Sequence, residues 1–63
     1  MKLKKLFKVC DKETLVSVLI LSNGVRTPVW TIDDFINMYD KEALERKISY
    51  IEFDEAVVRI DIF

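Results

Sequence analysis

The amino-acid sequence predicts an α+β domain in the order α-β-β-α-β-β, with a mainly antiparallel four-stranded sheet. Two segments with helical spacing of apolar residues each precede a pair of strand-like segments, and short turn signals join the strands of each pair. The chain has 63 residues, of which 51% are hydrophobic, so residues 1–63 are expected to form a single domain. A small, partly open β-barrel with helices is the alternative, because one predicted strand is apolar on both faces.

The first ten residues predict a short amphipathic helix. Its apolar stripe follows the i, i+3, i+4, i+7 spacing and consists of Leu3, Leu6, Phe7 and Cys10. A helix this short does not persist alone in water, so we expect it to be held by packing on the sheet. Cys10 completes the stripe, and we interpret it as a small buried hydrophobe because the chain has no His to activate a thiol.

Residues 14–21 predict the first strand, with branched residues on one face and leucines on the other. Such a strand is central and covered on both sides, or it belongs to a small barrel. Asn23-Gly24 then predicts a two-residue hairpin turn, since both residue types tolerate a positive φ. The return strand over 25–30 contains Pro28, which has no N–H to donate, so this strand is expected to lie at an edge or to carry a bulge.

The second half of the chain predicts further helix and a second hairpin. Thr31 is expected to cap a helix, with Asp34 as the third helical residue. The apolar stripe of this helix is Ile32, Phe35, Ile36 and Tyr39. Asp40 is expected to cap a further turn over 41–45, and the pattern leaves open one kinked helix or two short ones. Strands follow at 47–53 and 56–62, joined at Asp54-Glu55.

The composition excludes most catalytic chemistry. The chain has no His, one Cys and one Gly, so a zinc site, a His-based triad and a Gly-rich phosphate loop are all excluded. The neighbouring carboxylates are explained by a helix start, a turn and a solvated helix face: Asp33-Asp34, Asp54-Glu55 and Glu42 with Glu45. The chain is also expected to be too small to enclose a ligand cavity of several hundred Å³. We therefore expect no enzyme activity and no cofactor.

Four segments carry a resemblance to a known class of proteins. These are "KVCD" at the end of the first helix, the "NG" hairpin, "TIDDFINMYDKEALERKI" and the closing "IEFDEAVVRIDIF". Together they resemble small uncharacterised proteins encoded by phages and mobile elements of low-GC Gram-positive gut bacteria. The resemblance implies a phage-borne accessory protein, a class that includes regulators, structural accessories and inhibitors of host enzymes.

The high apolar content indicates a protein-binding module. A chain this small cannot bury all of its hydrophobic residues, and exposed apolar patches on small proteins mark interfaces. The expected interface residues are Pro28, Trp30, Tyr50, Val57 and Phe63. The partner is expected to be a host or phage protein, or a second copy of the chain in a homodimer, since a small core without disulfide or metal is commonly supplemented by association.

The basic N-terminal segment supports an alternative function. Residues 1–12 contain five Lys and one Asp, a net charge of +4, whereas residues 33–63 carry −5. The helix lysines Lys2, Lys4, Lys5 and Lys8 could contact the phosphates of a nucleic acid. No membrane partner is expected, because the longest nearly apolar run covers 15–21 and a bilayer requires about 20 residues. The absence of a disulfide framework favours the cytoplasm.

Overall fold

The computed structural model describes residues 1–39 and 41–63, which form three helices and a five-stranded mixed sheet. The helices are α1 (Leu3–Val9), α2 (Ile32–Met38) and α3 (Lys41–Glu45). The strands are β1 (Leu15–Ile20), β2 (Val25–Arg26), β3 (Trp30–Thr31), β4 (Ile48–Asp54) and β5 (Val57–Ile62). The predicted α+β class is confirmed. The sheet does not close, so the barrel alternative is wrong.

The sheet consists of two antiparallel hairpins placed side by side, with their inner strands parallel. The strand order is β2-β1-β5-β4, and β3 also pairs with β1. β1 is antiparallel to β2 and β3, and β5 is antiparallel to β4, but β1 and β5 are parallel along their whole lengths. The outer strands β3 and β4 therefore run in the same direction. Strands with this relationship need a crossover connection, which α2 and α3 provide.

The edge strand predicted over 25–30 is interrupted at Pro28, as the missing N–H of proline requires. β2 and β3 pair with successive parts of β1, and the residues between them leave the regular ladder. Thr27 bridges the interruption. Its N–H donates to the Val18 carbonyl at 2.8 Å, and its hydroxyl oxygen accepts from the Val18 N–H at 3.0 Å. The buried hydroxyl of Ser17 donates to the Thr27 carbonyl at 3.1 Å, so the buried side chains of Ser17 and Thr27 both have partners at this break.

The first hairpin turn differs from the prediction. The paired residues Ile20 and Val25 enclose a four-residue loop rather than a two-residue one. Only Gly24 takes a positive φ, of 67°, whereas Asn23 does not. The Asn23 side chain instead accepts a hydrogen bond from the Val25 N–H at 3.0 Å. Side-chain bonding of this kind stabilises a turn without a left-handed conformation at Asn23, which is why the two-residue prediction was wrong.

The hydrophobic core lies between the helices and one face of the sheet. Its buried residues are Leu3, Phe7, Val16, Val18, Ile32, Phe35, Ala43, Val58, Ile60 and Ile62. The predicted stripe of α1 is confirmed, since Leu6 and Cys10 pack against this cluster beside the buried Leu3 and Phe7. The predicted stripe of α2 is confirmed at three of its four residues but is wrong at Ile36, which is 41% exposed. The Phe7 and Phe35 rings meet edge to face with centroids 5.6 Å apart, and Tyr39 stacks on Phe35 at 4.6 Å. These ring contacts join α1 to α2.

The opposite face of the sheet is not covered by any helix of the described residues, so the prediction that β1 is covered on both sides is wrong. Leu15 and Leu19 of β1 lie on this face and are half-buried by neighbouring side chains. Two ion pairs cross it, Arg26 with Asp61 at 2.7 Å and Arg59 with Asp54 at 3.2 Å. A sheet can pack one face on the core and leave the other in water when that other face carries charged side chains, so a second layer is not required here.

Residues 32–45 contain two short helices, which decides the question that the sequence left open. α2 ends where Tyr39 becomes extended, with φ −110° and ψ 155°, and α3 begins at Lys41. Asp40, the predicted cap of the second helix, lies outside the described residues. None of the helices in the described part of the chain is long and apolar enough to span a membrane.

Candidate functional site

A groove of about 430 Å³ lies between α1 and the helical segment formed by α2 and α3. The apolar residues that line it are Phe7, Cys10, Ile32, Ile36 and Leu44, and the lysines are Lys4, Lys8 and Lys12. We call this the α1–α2 groove. Its volume is within the several hundred Å³ typical of ligand cavities, which the sequence predicts this chain to be too small to enclose. Ile36 is 41% exposed, so the space is an open groove and not an enclosed cavity.

The groove follows from a helical stripe that is wider than the core requires. Ile32 and Ile36 are four residues apart and therefore lie on the same side of α2. Ile32 is fully buried in the core, whereas the side chain of Ile36, one turn further along, is 41% exposed. Phe7 and Phe35 join the two helices beneath this point. The apolar stripe of α2 thus continues out of the core and becomes a wall of the groove.

The lysines of the groove differ in their electrostatic environments. Lys4 Nζ donates to Glu45 Oε1 at 2.7 Å, and Lys2 Nζ donates to the other carboxylate oxygen at 3.0 Å. The hydrogen bonds from Lys4 and then Lys2 hold the pKa of Glu45 below its usual range. Within the described residues, Lys8 and Lys12 form no ion pair. The groove therefore has two lysines that are not held in an ion pair within the described residues, and one of them, Lys12, lies between Asp11 and Glu13 in the chain.

The predicted nucleic-acid patch does not form one uncompensated surface. All four of its lysines are exposed, but Lys2 and Lys4 share the carboxylate of Glu45. Lys8 lies at the groove, and Lys5 is on α1 outside the residues that line it. Within the described residues, Lys5 and Lys8 of the predicted patch form no ion pair, and neither does Lys12, which was not among the predicted residues.

The five predicted interface residues lie in separate places. Tyr50 and Val57 are both on the uncovered face of the sheet, but near opposite ends of β5. Phe63 is exposed beyond the end of β5, and Pro28 is exposed in the break between β2 and β3. Trp30 is half-buried and packs against the core on the helical side of the sheet. The structure therefore does not bring these residues together into one surface.

Trp30 has an unusual polar environment. Its indole Nε1–H is buried and has no hydrogen-bond partner among the described residues. A buried donor without a partner destabilises a fold by about 1–3 kcal/mol. The large apolar ring supports the core, and the N–H group is the unfavourable part of the same side chain.

A second cleft, of about 380 Å³, lies on the uncovered face of the sheet beside Ser17 and Val29. Its two arginines, Arg26 and Arg59, are both engaged in ion pairs with aspartates. Arg26 also donates to the Ser17 carbonyl at 3.0 Å. Because both arginines of this cleft are already paired within the chain, it is less suited to a ligand than the α1–α2 groove.

The sequence contained signals for the groove that the interface prediction did not use. Ile36 belongs to the predicted stripe of α2. Whether it is buried in the core or left at the surface depends on how closely α1 approaches α2. Lys4 and Lys8 are four residues apart within α1, which places them one helical turn apart, and Lys12 follows beyond the end of that helix. Leu44 was expected to point inward from α3, and it lies partly buried at the groove wall.

Comparisons with protein-family models, curated proteins and solved structures found no match to this chain. Its function is therefore inferred from the geometry and chemistry of its own residues. The α1–α2 groove combines an apolar lining with two lysines that form no ion pair within the described residues.

Proposed function

We propose that this protein is a non-enzymatic protein-binding module and that the α1–α2 groove is the surface that contacts its partner. The observation that carries the proposal is the exposure of Ile36 in an apolar groove with lysines along its rim. An apolar centre surrounded by charged groups is the arrangement found in protein interfaces. The uncovered face of the sheet supports this role less, because its two arginines, Arg26 and Arg59, are already paired with aspartates.

Binding of nucleic acid is the alternative, and the same residues favour it less. Proteins that hold single strands use exposed aromatic rings on which bases stack. The one aromatic ring in the groove belongs to Phe7, which is buried, while the accessible wall is the aliphatic side chain of Ile36. Lys2 and Lys4 are in contact with Glu45, which weakens their attraction for phosphate.

Affinity capture with a matched pair of variants tests the proposal. The protein, Ile36→Asp and Met38→Asp are each used as bait in a lysate of a Gram-positive host. Met38 is exposed on the same helix but does not line the groove, so it controls for the added charge. We expect a specific partner that Ile36→Asp loses and Met38→Asp retains. A partner retained by both variants would place the binding surface elsewhere.

A mobility-shift experiment tests the nucleic-acid alternative. Labelled duplex and single-stranded oligonucleotides are mixed with the protein at about 50 mM salt, where phosphate contacts are strong. We expect no shift. If the oligonucleotides shift and no protein is captured, the module binds nucleic acid and the protein-binding proposal fails.

We further propose that the module works in the cytoplasm as a homodimer and as a phage-borne accessory protein or inhibitor of a host protein. The phage assignment rests on the resemblance of the four sequence segments.

The dimer is supported by β4, an edge strand of seven residues on which Phe53 is 78% exposed. Exposed apolar edge strands are templates for pairing with another chain. A monomer mass by light scattering, unchanged from high micromolar to nanomolar concentration, would disprove the dimer.

A further inference from the structure

We propose that the α1–α2 groove binds an acidic amphipathic helix, one whose apolar stripe is flanked by Asp and Glu residues. This inference rests on the proposed protein-binding function and specifies the chemistry of the partner. Three features of the groove lead to it: the shortage of polar groups along its floor, the lysines at its rim, and the absence of acidic side chains among the described residues that line it.

The apolar floor favours a helix over an extended peptide. An extended peptide carries unpaired backbone N–H and C=O groups, and burying them without partners is unfavourable. The described side chains that line the groove provide only lysine ammonium groups and the Cys10 thiol as polar groups. A helix satisfies its backbone internally and presents apolar side chains on one face. The groove, bounded by residues of α1, α2 and α3, has room for a few such side chains.

The lysines favour an acidic occupant. Lys4 and Lys8 are four residues apart on α1, which corresponds to a rise of about 6 Å, or one helical turn. An acidic residue of a bound helix can pair with Lys8, whereas one that faces Lys4 a turn away would share that lysine with Glu45. Lys8 and Lys12 form no ion pair within the described residues, so their charge is available to such a partner. Complementary charge at an interface rim selects between partners and accelerates association.

A second copy of the chain is a poor occupant of the groove. Its own helices carry acidic residues, such as Asp33 and Asp34 on α2 and Glu45 on α3. However, the apolar stripe of each helix is directed into its own core, where Ile32, Phe35 and Ala43 are buried. An acidic helix from another protein has no such constraint.

Nuclear magnetic resonance of the whole ¹⁵N-labelled protein provides the test. The probe is a synthetic helical peptide with Leu at i, i+3, i+4 and i+7 and Glu at the flanking positions, and its control has Lys at every Glu position. We expect the acidic peptide to shift the amide signals of Phe7, Lys8, Cys10, Ile36 and Leu44 with a dissociation constant below about 1 mM. We expect no saturable shifts with the basic peptide.

Two matched pairs of variants locate the contact. Lys8→Glu is compared with Lys5→Glu, which makes the same change of charge on α1 outside the groove. Ile36→Asp is compared with Met38→Asp. We expect Lys8→Glu and Ile36→Asp each to weaken binding of the acidic peptide by about fivefold or more, and the two controls by less than twofold. All four changes are at exposed positions, and the amide spectrum shows whether each variant is folded.

Cys10 provides an independent readout, because it is the single cysteine of the chain and lines the groove. The acidic peptide is expected to slow the reaction of its thiol with a labelling reagent, and the basic peptide is not. Decanoate serves as a small amphiphilic competitor. If decanoate protects the thiol and the acidic peptide does not, the groove binds a small alkyl anion and the helix proposal is wrong.

The outcomes separate this inference from the proposed function. Suppose that Ile36→Asp abolishes capture of a partner but the acidic peptide produces no shifts at concentrations up to about 1 mM. The protein-binding function then stands, and the proposal that the partner is an acidic helix is wrong. Equal binding of acidic and basic peptides, or equal weakening by Lys8→Glu and Lys5→Glu, also overturns the inference. If neither peptide binds and Ile36→Asp leaves capture unchanged, the groove itself is not a binding surface.

Discussion

The hydroxyl oxygen of Thr27 accepts a hydrogen bond from the backbone N–H of Val18 at 3.0 Å, in the interior of the sheet. In a regular ladder a backbone carbonyl would accept this bond, but the chain departs from β1 just before Pro28. The Thr27 carbonyl accepts from the Ser17 hydroxyl instead. One threonine side chain thereby replaces a ladder contact and allows the edge strand to be interrupted without leaving a buried donor unpaired.

Thr27→Val is expected to lower the free energy of unfolding by about 1–3 kcal/mol, because it leaves the buried Val18 N–H without an acceptor. Valine has nearly the same shape as threonine, so the change reports on the hydrogen bond rather than on packing. Thr27→Ser retains the hydroxyl and is the control. Urea unfolding measures the effect, and equal stabilities of Thr27→Val and the wild type would show that the bond contributes nothing.

Thr31→Ala is expected to destabilise the protein by about 1 kcal/mol through loss of the α2 cap. The Thr31 hydroxyl oxygen accepts from the Asp34 N–H at 3.1 Å, as the sequence predicted. Thr31→Ser preserves the acceptor and is expected to retain most of the stability. Thermal unfolding of the three proteins checks this, and an unaffected Thr31→Ala midpoint would contradict the role of the cap.

Gly24→Ala is expected to destabilise the protein by about 1 kcal/mol, through the backbone alone. Gly24 has φ 67°, yet an added Cβ would meet no atom within 4 Å. The free energy of unfolding is therefore lowered by the strain of a left-handed backbone conformation, which Asn tolerates better than Ala. Gly24→Asn should accordingly unfold at a higher denaturant concentration than Gly24→Ala. The reverse order would exclude φ strain as the cause.

Trp30→Phe is expected to leave the free energy of unfolding within about 1 kcal/mol of the wild type, since it removes a buried donor that has no partner along with some apolar area. Trp30→Ala removes the ring that packs against the core and should cost about 3 kcal/mol. Chemical denaturation distinguishes the two. A large loss of stability in Trp30→Phe would indicate that the indole N–H contributes an interaction of its own.

Glu45 is expected to make stability depend on pH in the acidic range. Hydrogen bonds from Lys4 and Lys2 hold its pKa below the usual value in the folded protein. Its contribution is therefore fully present above the unfolded-state pKa of about 4.3 and is lost as the pH falls through the lower folded-state pKa. Lys4→Gln should raise the pKa of Glu45 measured by carboxyl NMR, whereas Lys5→Gln should not. Equal titration midpoints in both variants would contradict this account.

Local patterns in the sequence predicted the elements of this fold well, because each pattern has a direct local cause. The spacing of Leu3 and Phe7 decides which side of α1 is buried whatever that side packs against. The Thr31 cap and the break at Pro28 arise from backbone hydrogen bonding within a few residues. The turn at Asn23 shows the limit of this approach, since the side-chain acceptor and a two-residue turn are both compatible with Asn-Gly.

Local sequence patterns were enough to predict the α+β class, the buried side of α1, the Thr31 cap and the break at Pro28. They did not predict the third helix and fifth strand, the parallel pairing of β1 with β5, the uncovered face of the sheet, or the position of Ile36 at a groove instead of in the core. Periodicity is a property of neighbours in the chain, whereas these features depend on how closely distant elements approach one another. Ile32 is buried and Ile36 is exposed because of how α1 packs against α2, and no local pattern in the sequence encodes that packing.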